Sequence, residues 1–329
     1  MNRILVIRGG ALGDFILTLP ALKALRDAHP HAHIEILGYA HIGALADNRF
    51  YANAVRSIEY GALSRFFARG SELPEHLAEY FAGFDLIISF LFDPDLIFQT
   101  NLERAGAGDI VTGPAKLNEH SHAARQLAAP IVADLGLPLE STSAAVYPSP
   151  QDREIAVEFR KGLSTPIIAI HPGSGSEKKN WPLPNWIELG RRLLDASEFG
   201  GSLLFVTGEA DTTQSAQLQS VWSDSRVRFA RNLPLPHLAA ILQQTIFVGH
   251  DSGISHLAAA AGASCVLLFG PTDPAVWAPT GNNVEVISAP DEKMENIPID
   301  RVHQVVSSVA AVYDRRIFGW QAERPPYNA

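Results

Sequence analysis

The sequence predicts an α/β protein built as two doubly wound halves facing one another across a cleft. Three observations carry this. The chain has 329 residues, more than one hydrophobic core usually serves. Its two halves open alike, each with a short apolar run, a glycine-rich loop and a segment of helical period. Apolar runs and helical segments then alternate, with polar loops following successive runs.

In the first half, residues 4–7 are continuously apolar, as in a strand buried on both faces of a parallel sheet. Arg8-Gly9-Gly10-Ala11-Leu12-Gly13-Asp14 then forms a glycine-rich turn, with Gly10 and Gly13 suited to close backbone approach by a ligand. A helix is expected over about 15–28, with Leu17, Leu22 and Leu25 at helical spacing and Pro20 early, where a missing N–H matters least. The loop is not the dinucleotide fingerprint: its glycines stand at 9, 10 and 13, and the next strand, 34–37, ends at Gly38-Tyr39 without a ribose-binding acid. No G-K-[ST] ending occurs anywhere, so a phosphate-binding P-loop is excluded. Asp14, at the start of the helix, is the candidate for chemistry here. Aspartate is also a good helix cap, and the two roles are compatible. Strands at 84–90 and 110–113 and a helix at 120–135 follow. A segment rich in Pro, Ser and Thr, 138–150, marks the crossing between domains 1–150 and 151–329.

The second half opens with a helix at 151–162 and a buried strand at 167–170. His171-Pro172-Gly173-Ser174-Gly175-Ser176 is a glycine-serine loop; Lys178-Lys179-Asn180-Trp181-Pro182 leads from it into a helix at about 185–194. A strand at 202–207 ends at Gly208-Glu209, and helices follow at 211–221 and 235–243. The apolar run 246–248 enters the polar turn His250-Asp251-Ser252-Gly253, which opens into a helix over 254–261 closed by Gly262. A strand at 265–269 then stops at Gly270-Pro271-Thr272. A helix near 301–313 has domain one as a candidate packing partner. A strand that turns through Asp-Ser-Gly straight into a helix aims backbone N–H groups at one point, a seat for a phosphate. Small molecules in open α/β sheets bind beyond the carboxyl ends of strands. The polar groups at 171–179, 209, 250–253 and 270–273 all stand there, so Ser174, Ser176, Lys179, Glu209, Asp251, Ser252, Gly253 and Thr272 are expected to form one site, with His256, on the first turn of the helix that opens there, as a further candidate donor.

Composition narrows the function classes. Hydrophobic residues make up 47% and charged residues 19%, the balance of a globular protein with ample core. Acidic residues outnumber basic ones 35 to 26, a net charge of −9, against the basic stripe of a nucleic-acid binder. The single cysteine, Cys265, lies in an apolar run and rules out a disulfide within the chain, so a reducing cytoplasm is the expected setting. The start MNRILVIRGG reads as a strand rather than a signal peptide, and no apolar run approaches the ~18 residues of a membrane span. His29, His31 and His33 alternate in a polar loop without the second cluster a metal site requires, and no metal or cofactor is expected.

Three blocks resemble glycosyltransferase family nine, the bacterial heptosyltransferases of lipopolysaccharide core assembly. They are ILVIRGGALGDFILTLPALKALR at the start, IHPGSGSEKKNWPLPNWIELGRRL in the middle and FVGHDSGISHLAAAAGASCVLLFGPTDPAVWAP near the end. The last is highly specific, the K-x-W-P of the second fairly so, and their order spans nearly the whole chain. The resemblance implies a GT-B fold of two Rossmann-like domains. It implies inverting, metal-independent transfer of a heptose-type sugar from an ADP-sugar donor to a lipopolysaccharide core or related glycan acceptor. It assigns Asp14 as the base, Lys179 to the diphosphate, Glu209 to the ribose, and Asp251, Ser252, Gly253 and His256 to the donor. A glycolipid acceptor also implies work in the cytoplasm at the inner face of the membrane. The segment 50–80, on the acceptor side of such enzymes, carries no dense basic cluster.

The residue types suit the chemistry. Inverting transfer needs a carboxylate to take the acceptor hydroxyl's proton. Without a metal, fixed cations and N–H dipoles must hold the charge growing on the nucleoside diphosphate. Two other readings stay open on sequence: a transferase using another nucleotide-sugar, such as a UDP-sugar, and a nucleotide-sugar-binding protein without transfer activity.

Overall fold

A computed structural model describes residues 1–197, 199–208 and 212–316 of the chain. The chain separates into two compact units, Met1–Tyr147 and Pro148–Ala329, and the boundary falls inside the Pro-, Ser- and Thr-rich 138–150.

In unit 1 the elements run β1 (Arg3–Arg8), α1 (Leu12–Ala28), β2 (His33–Gly38), α2 (Ala40–Gly43), β3 (Ala54–Ser57), α3 (Glu75–Ala82), β4 (Leu86–Ser89), α4 (Ile97–Arg104), β5 (Asp109–Thr112) and α5 (Ala123–Ala133). The five strands pair in parallel in the order β3-β2-β1-β4-β5. Central β1 is buried from Ile4 to Ile7, which is why it reads as an unbroken apolar run. Helix α1 packs against α5. It begins at Leu12, three residues before the sequence suggested. Gly13 and Asp14 therefore lie in its first turn, and Pro20 falls in its interior rather than near its start.

Unit 2 comprises α6 (Pro150–Arg160), β6 (Ile167–Ile170), α7 (Leu183–Asp195), β7 (Ser202–Thr207), α8 (Thr212–Val221), β8 (Val227–Arg231), α9 (Leu235–Leu242), β9 (Ile246–His250), α10 (Gly253–Ala260), β10 (Ser264–Phe269), α11 (Pro274–Trp277), β11 (Val284–Ser288) and α12 (Ile299–Arg316). Its six strands are parallel, ordered β11-β10-β9-β6-β7-β8. One core joins Trp181, Trp186 and Leu189 to Ile168, Ile170, Phe205, Val248 and Leu268. Helix α12, for which domain one was a candidate partner, lays Val302, Val305 and Val306 into this same core, against α7, β9 and β10. Because neighbouring strands run in one direction, the segments leaving β6, β9 and β10 emerge side by side at one sheet edge.

Candidate active site

In unit 1, the loop after β1 is shaped around Asp14. The Asp14 carboxylate accepts the Ala11 N–H through Oδ2 at 3.0 Å, satisfying a donor at the start of α1 and allowing the helix to begin at Leu12. Gly10 has φ +94°, and a Cβ there would lie 2.8 Å from Asp14 Oδ2, so glycine serves both the backbone turn and the carboxylate's place. Arg8, buried at the end of β1, fastens this turn. Its Nη2 donates to the Asp14 carbonyl at 3.1 Å and stands 3.9 Å from Asp14 Oδ1; its Nε donates to Thr18 Oγ1 at 3.0 Å. Thr18 Oγ1 in turn donates to the Asp14 carbonyl at 2.8 Å. Burial lowers the Arg8 pKa from its ordinary value, and the charge of Asp14 opposes that shift. The Asp14 side chain remains 40% exposed, so a buried framework presents an accessible carboxylate. Gly13 is an ordinary first-turn helix residue. Sequence reasoning did not single out Arg8 and Thr18, whose roles depend on the turn bringing residues 8, 14 and 18 together.

In unit 2, three strand ends converge on one carboxylate. Asp251, just beyond β9, accepts at the same Oδ2 from Lys179 Nζ at 2.6 Å and from Thr272 Oγ1 at 2.9 Å. Lys179 comes from the loop after β6, and Thr272 from the loop after β10. Ser252 is the N-cap of α10: its Oγ accepts the Ser255 N–H at 3.3 Å. Gly253 is the helix's first residue, and its first turn presents the positive end of the peptide dipoles beside Asp251. His256 is buried in the same helix, its N–H bonded to the Ser252 carbonyl at 3.2 Å.

Ser174 and Ser176 organise the loop itself. Ser174 Oγ lies 2.8 Å from the Ser176 carbonyl and 2.7 Å from Asn180 Oδ1, while the Ser176 N–H donates to Ser174 Oγ at 3.3 Å. One hydroxyl proton serves one acceptor; with the Asn180 amide turned round, that side chain donates to Ser174 instead. Asn180 is a member of this loop that sequence reasoning passed over. Glu209, expected on the ribose, lies outside the described residues.

The structure corrects the reading of 246–253. His250 is not part of a polar turn: it is the last residue of β9 and fully buried, with Nε2 accepting the Trp181 N–H at 2.7 Å. Desolvation, and secondarily the neighbouring His171, push its pKa down to about 3, against a smaller opposing effect of the Gly173 backbone. Trp181 itself is buried, its indole N–H donating to the Ile297 carbonyl at 3.0 Å.

The arrangement pairs a fixed cation with a helix start in unit 2 and holds an exposed carboxylate on a rigid turn in unit 1. The sequence profile of glycosyltransferase family 9 (heptosyltransferase) matches residues 114–304, more than half of the chain. Lipopolysaccharide heptosyltransferase 1 of Pseudomonas aeruginosa PAO1 is 26% identical over 304 residues, 83% of this chain and 79% of that protein. The protein of the same name from Escherichia coli K12 is 28% identical over 171 residues, 50% of this chain, and the match spans about half of that relative, 52%. Among solved structures, E. coli heptosyltransferase WaaC with ADP-2-deoxy-2-fluoro heptose superposes with a TM-score of 0.70 at 18% identity, covering 94% of this chain and all of that one. That likeness is one of fold, the GT-B class with its two parallel-sheet α/β domains. The chain belongs to glycosyltransferase family 9, the heptosyltransferase family.

Proposed function

We propose that the chain is an inverting glycosyltransferase that moves a heptose-type sugar from an ADP-sugar to a lipopolysaccharide core or related glycan acceptor. The observation that carries the donor half is the meeting of Lys179, Asp251 and Thr272 from three adjacent strand ends, beside the Ser252-capped start of α10. Family membership supports the sugar class. The ADP-heptose analogue named with the E. coli structure supports the donor, and the names of the curated relatives support the acceptor.

In this reading the donor diphosphate sits at the α10 start, within reach of Lys179, and Glu209 takes the ribose. Asp14 accepts the proton of the acceptor hydroxyl as its oxygen attacks the anomeric carbon. The bond from that carbon to the diphosphate oxygen breaks with inversion, and the nucleoside diphosphate leaves with the electron pair. Lys179 and the helix N–H groups hold its new charge, so the chain's own groups supply the electrostatic stabilisation and no metal is called for. A glycolipid acceptor brings the chain to a membrane surface from the cytoplasm. The encounter is peripheral in this reading, since no described helix is long and apolar enough to cross a membrane.

Asp14 also caps α1, which keeps a binding protein without transfer activity as the rival reading. The two separate on one variant. With an ADP-heptose donor and a lipopolysaccharide core acceptor, Asp14→Asn loses acceptor-dependent ADP release and retains donor binding. Release at the wild-type rate contradicts the base assignment, and absence of release from the wild type contradicts transfer.

A further inference from the structure

His250 occupies a place that neither a generic donor site nor a generic core explains. Its imidazole is buried at the end of β9, and Nε2 accepts a main-chain N–H from Trp181, 69 residues away in sequence. The bonded residues are next to the two that form the site's ion pair: Lys179 precedes Trp181 by two residues, and Asp251 follows His250 by one. Two rungs therefore join the same two segments. The outer rung, Lys179 to Asp251, is partly open to solvent; the inner rung, Trp181 to His250, is buried.

The loop is pinned at both ends. At its start, the His171 N–H continues the sheet pairing to the Val248 carbonyl at 3.0 Å, and His171 Nδ1 lies 2.9 Å from the Val206 carbonyl. At its far end, Trp181 is held through its main chain by His250 and through its indole by Ile297. The Trp186 ring stands edge-on to the imidazole, with centroids 5.0 Å apart, and Trp181 meets Trp186 in the same way at 5.1 Å. Between the pins lie Ser174, Ser176 and Lys179. A lysine side chain is long and loses much rotamer freedom when fixed, so a firm backbone beneath it decides how often its ammonium is in place.

We propose that His250 is a positioning residue for the donor site: by accepting the Trp181 N–H it sets the 171–182 loop so that Lys179 reaches Asp251 and the donor diphosphate. This rests on the donor reading given above. An acceptor at Nε2 requires the neutral imidazole with its proton on Nδ1. The ring also meets the Gly173 backbone, in the same loop, so His250 is tied to the loop near both of its ends.

Calorimetric titration of the full chain with ADP tests the role. Glutamine can offer Oε1 near the place of Nε2, whereas leucine fills space without an acceptor. His250→Gln should bind ADP within threefold of wild type, and His250→Leu at least tenfold more weakly. In a Lys179→Met background, His250→Leu should add less than a twofold further loss, because its effect passes through Lys179. Affinity within threefold for His250→Leu overturns the role, as does an equal loss in both backgrounds. A second measurement needs no variant: in the 15N-labelled wild type, Nε2 should be unprotonated and scalar-coupled to the Trp181 amide. A protonated Nε2 overturns the proposal whether or not His250→Leu folds. A wild type that binds no ADP removes the donor reading and this role together, whereas wild-type binding unchanged in His250→Leu removes this role alone.

Discussion

Lys179 Nζ stands 2.6 Å from Asp251 Oδ2, and that same oxygen accepts from Thr272 Oγ1 at 2.9 Å. One carboxylate thus fixes a cation from the neighbouring strand end on one side and a hydroxyl from the strand end on the other. The lysine side chain is 30% exposed and the aspartate 10%, so the ammonium is held yet reachable. Lys179→Met removes the cation and leaves Asp251 with Thr272 alone. A charge-assisted hydrogen bond is worth about 1.5–3 kcal/mol, so ADP affinity should fall roughly 10–150-fold in calorimetry. Thr272→Val removes a hydroxyl that steadies Asp251 but not the cation that meets the diphosphate, so it should weaken ADP less, about fivefold, or about 1 kcal/mol. A Lys179→Met chain with undiminished ADP affinity would take Lys179 out of the donor site.

The Asp14 turn separates chemistry from binding. Asp14→Asn keeps an oxygen for the Ala11 N–H and loses the base, so kcat should drop by about 10²–10⁴ with ADP affinity unchanged. Gly10→Ala acts on the same carboxylate indirectly. The left-handed φ of +94° strains an L-residue by roughly 1–2 kcal/mol, and the added Cβ would crowd Asp14 Oδ2. Its thermal midpoint and kcat should both fall while ADP still binds. Unchanged kcat in Gly10→Ala would show that the carboxylate's placement does not matter.

Ser252 ties fold to site through the start of α10. Ser252→Ala leaves the Ser255 N–H without its cap and should cost about 1 kcal/mol in urea denaturation, whereas Ser252→Gly should cost only a few tenths. Equal losses for the two variants would argue against capping as the source of the effect.

Acid should weaken unit 2 through His250. Its pKa is about 3 when folded, with burial and the neighbouring His171 both pushing it down from 6.5. Between those values the unfolded chain binds more protons, so stability falls as pH drops from 6.5 toward 3, by up to about 1.4 kcal/mol per pH unit from this group. His250→Gln has no such proton to bind. Its urea midpoint should decline less steeply than that of the wild type between pH 6.5 and 4.5; parallel declines would contradict the assignment.

The central strands were legible because burial on both faces leaves a continuous apolar run, as in β1, β6, β7 and β10. The strands that sequence reasoning passed over, β3, β8 and β11, are all sheet edges. One flank faces solvent, so they carry Arg56, Arg228, Arg231 and Glu285, and no unbroken apolar run remains. In the site, Lys179, Asp251 and Thr272 were legible as polar residues after successive strands, and the structure brings them together. His250 was misread because a histidine beside Asp-Ser-Gly looks like turn chemistry; only the parallel register places it under Trp181. Asn180, Arg8 and Thr18 act within turns whose closure no local pattern announces.

Calorimetric titration of the wild-type chain with ADP-, GDP- and UDP-sugars tests the central claim most directly, because the proposed chemistry begins with an ADP-sugar held beside Lys179 and Asp251. The account predicts saturable binding of the ADP-sugar in preference to the other two, greatly weakened by Lys179→Met and unchanged by Asp14→Asn. Failure of every ADP compound to bind, or a preference for a UDP- or GDP-sugar, would contradict it.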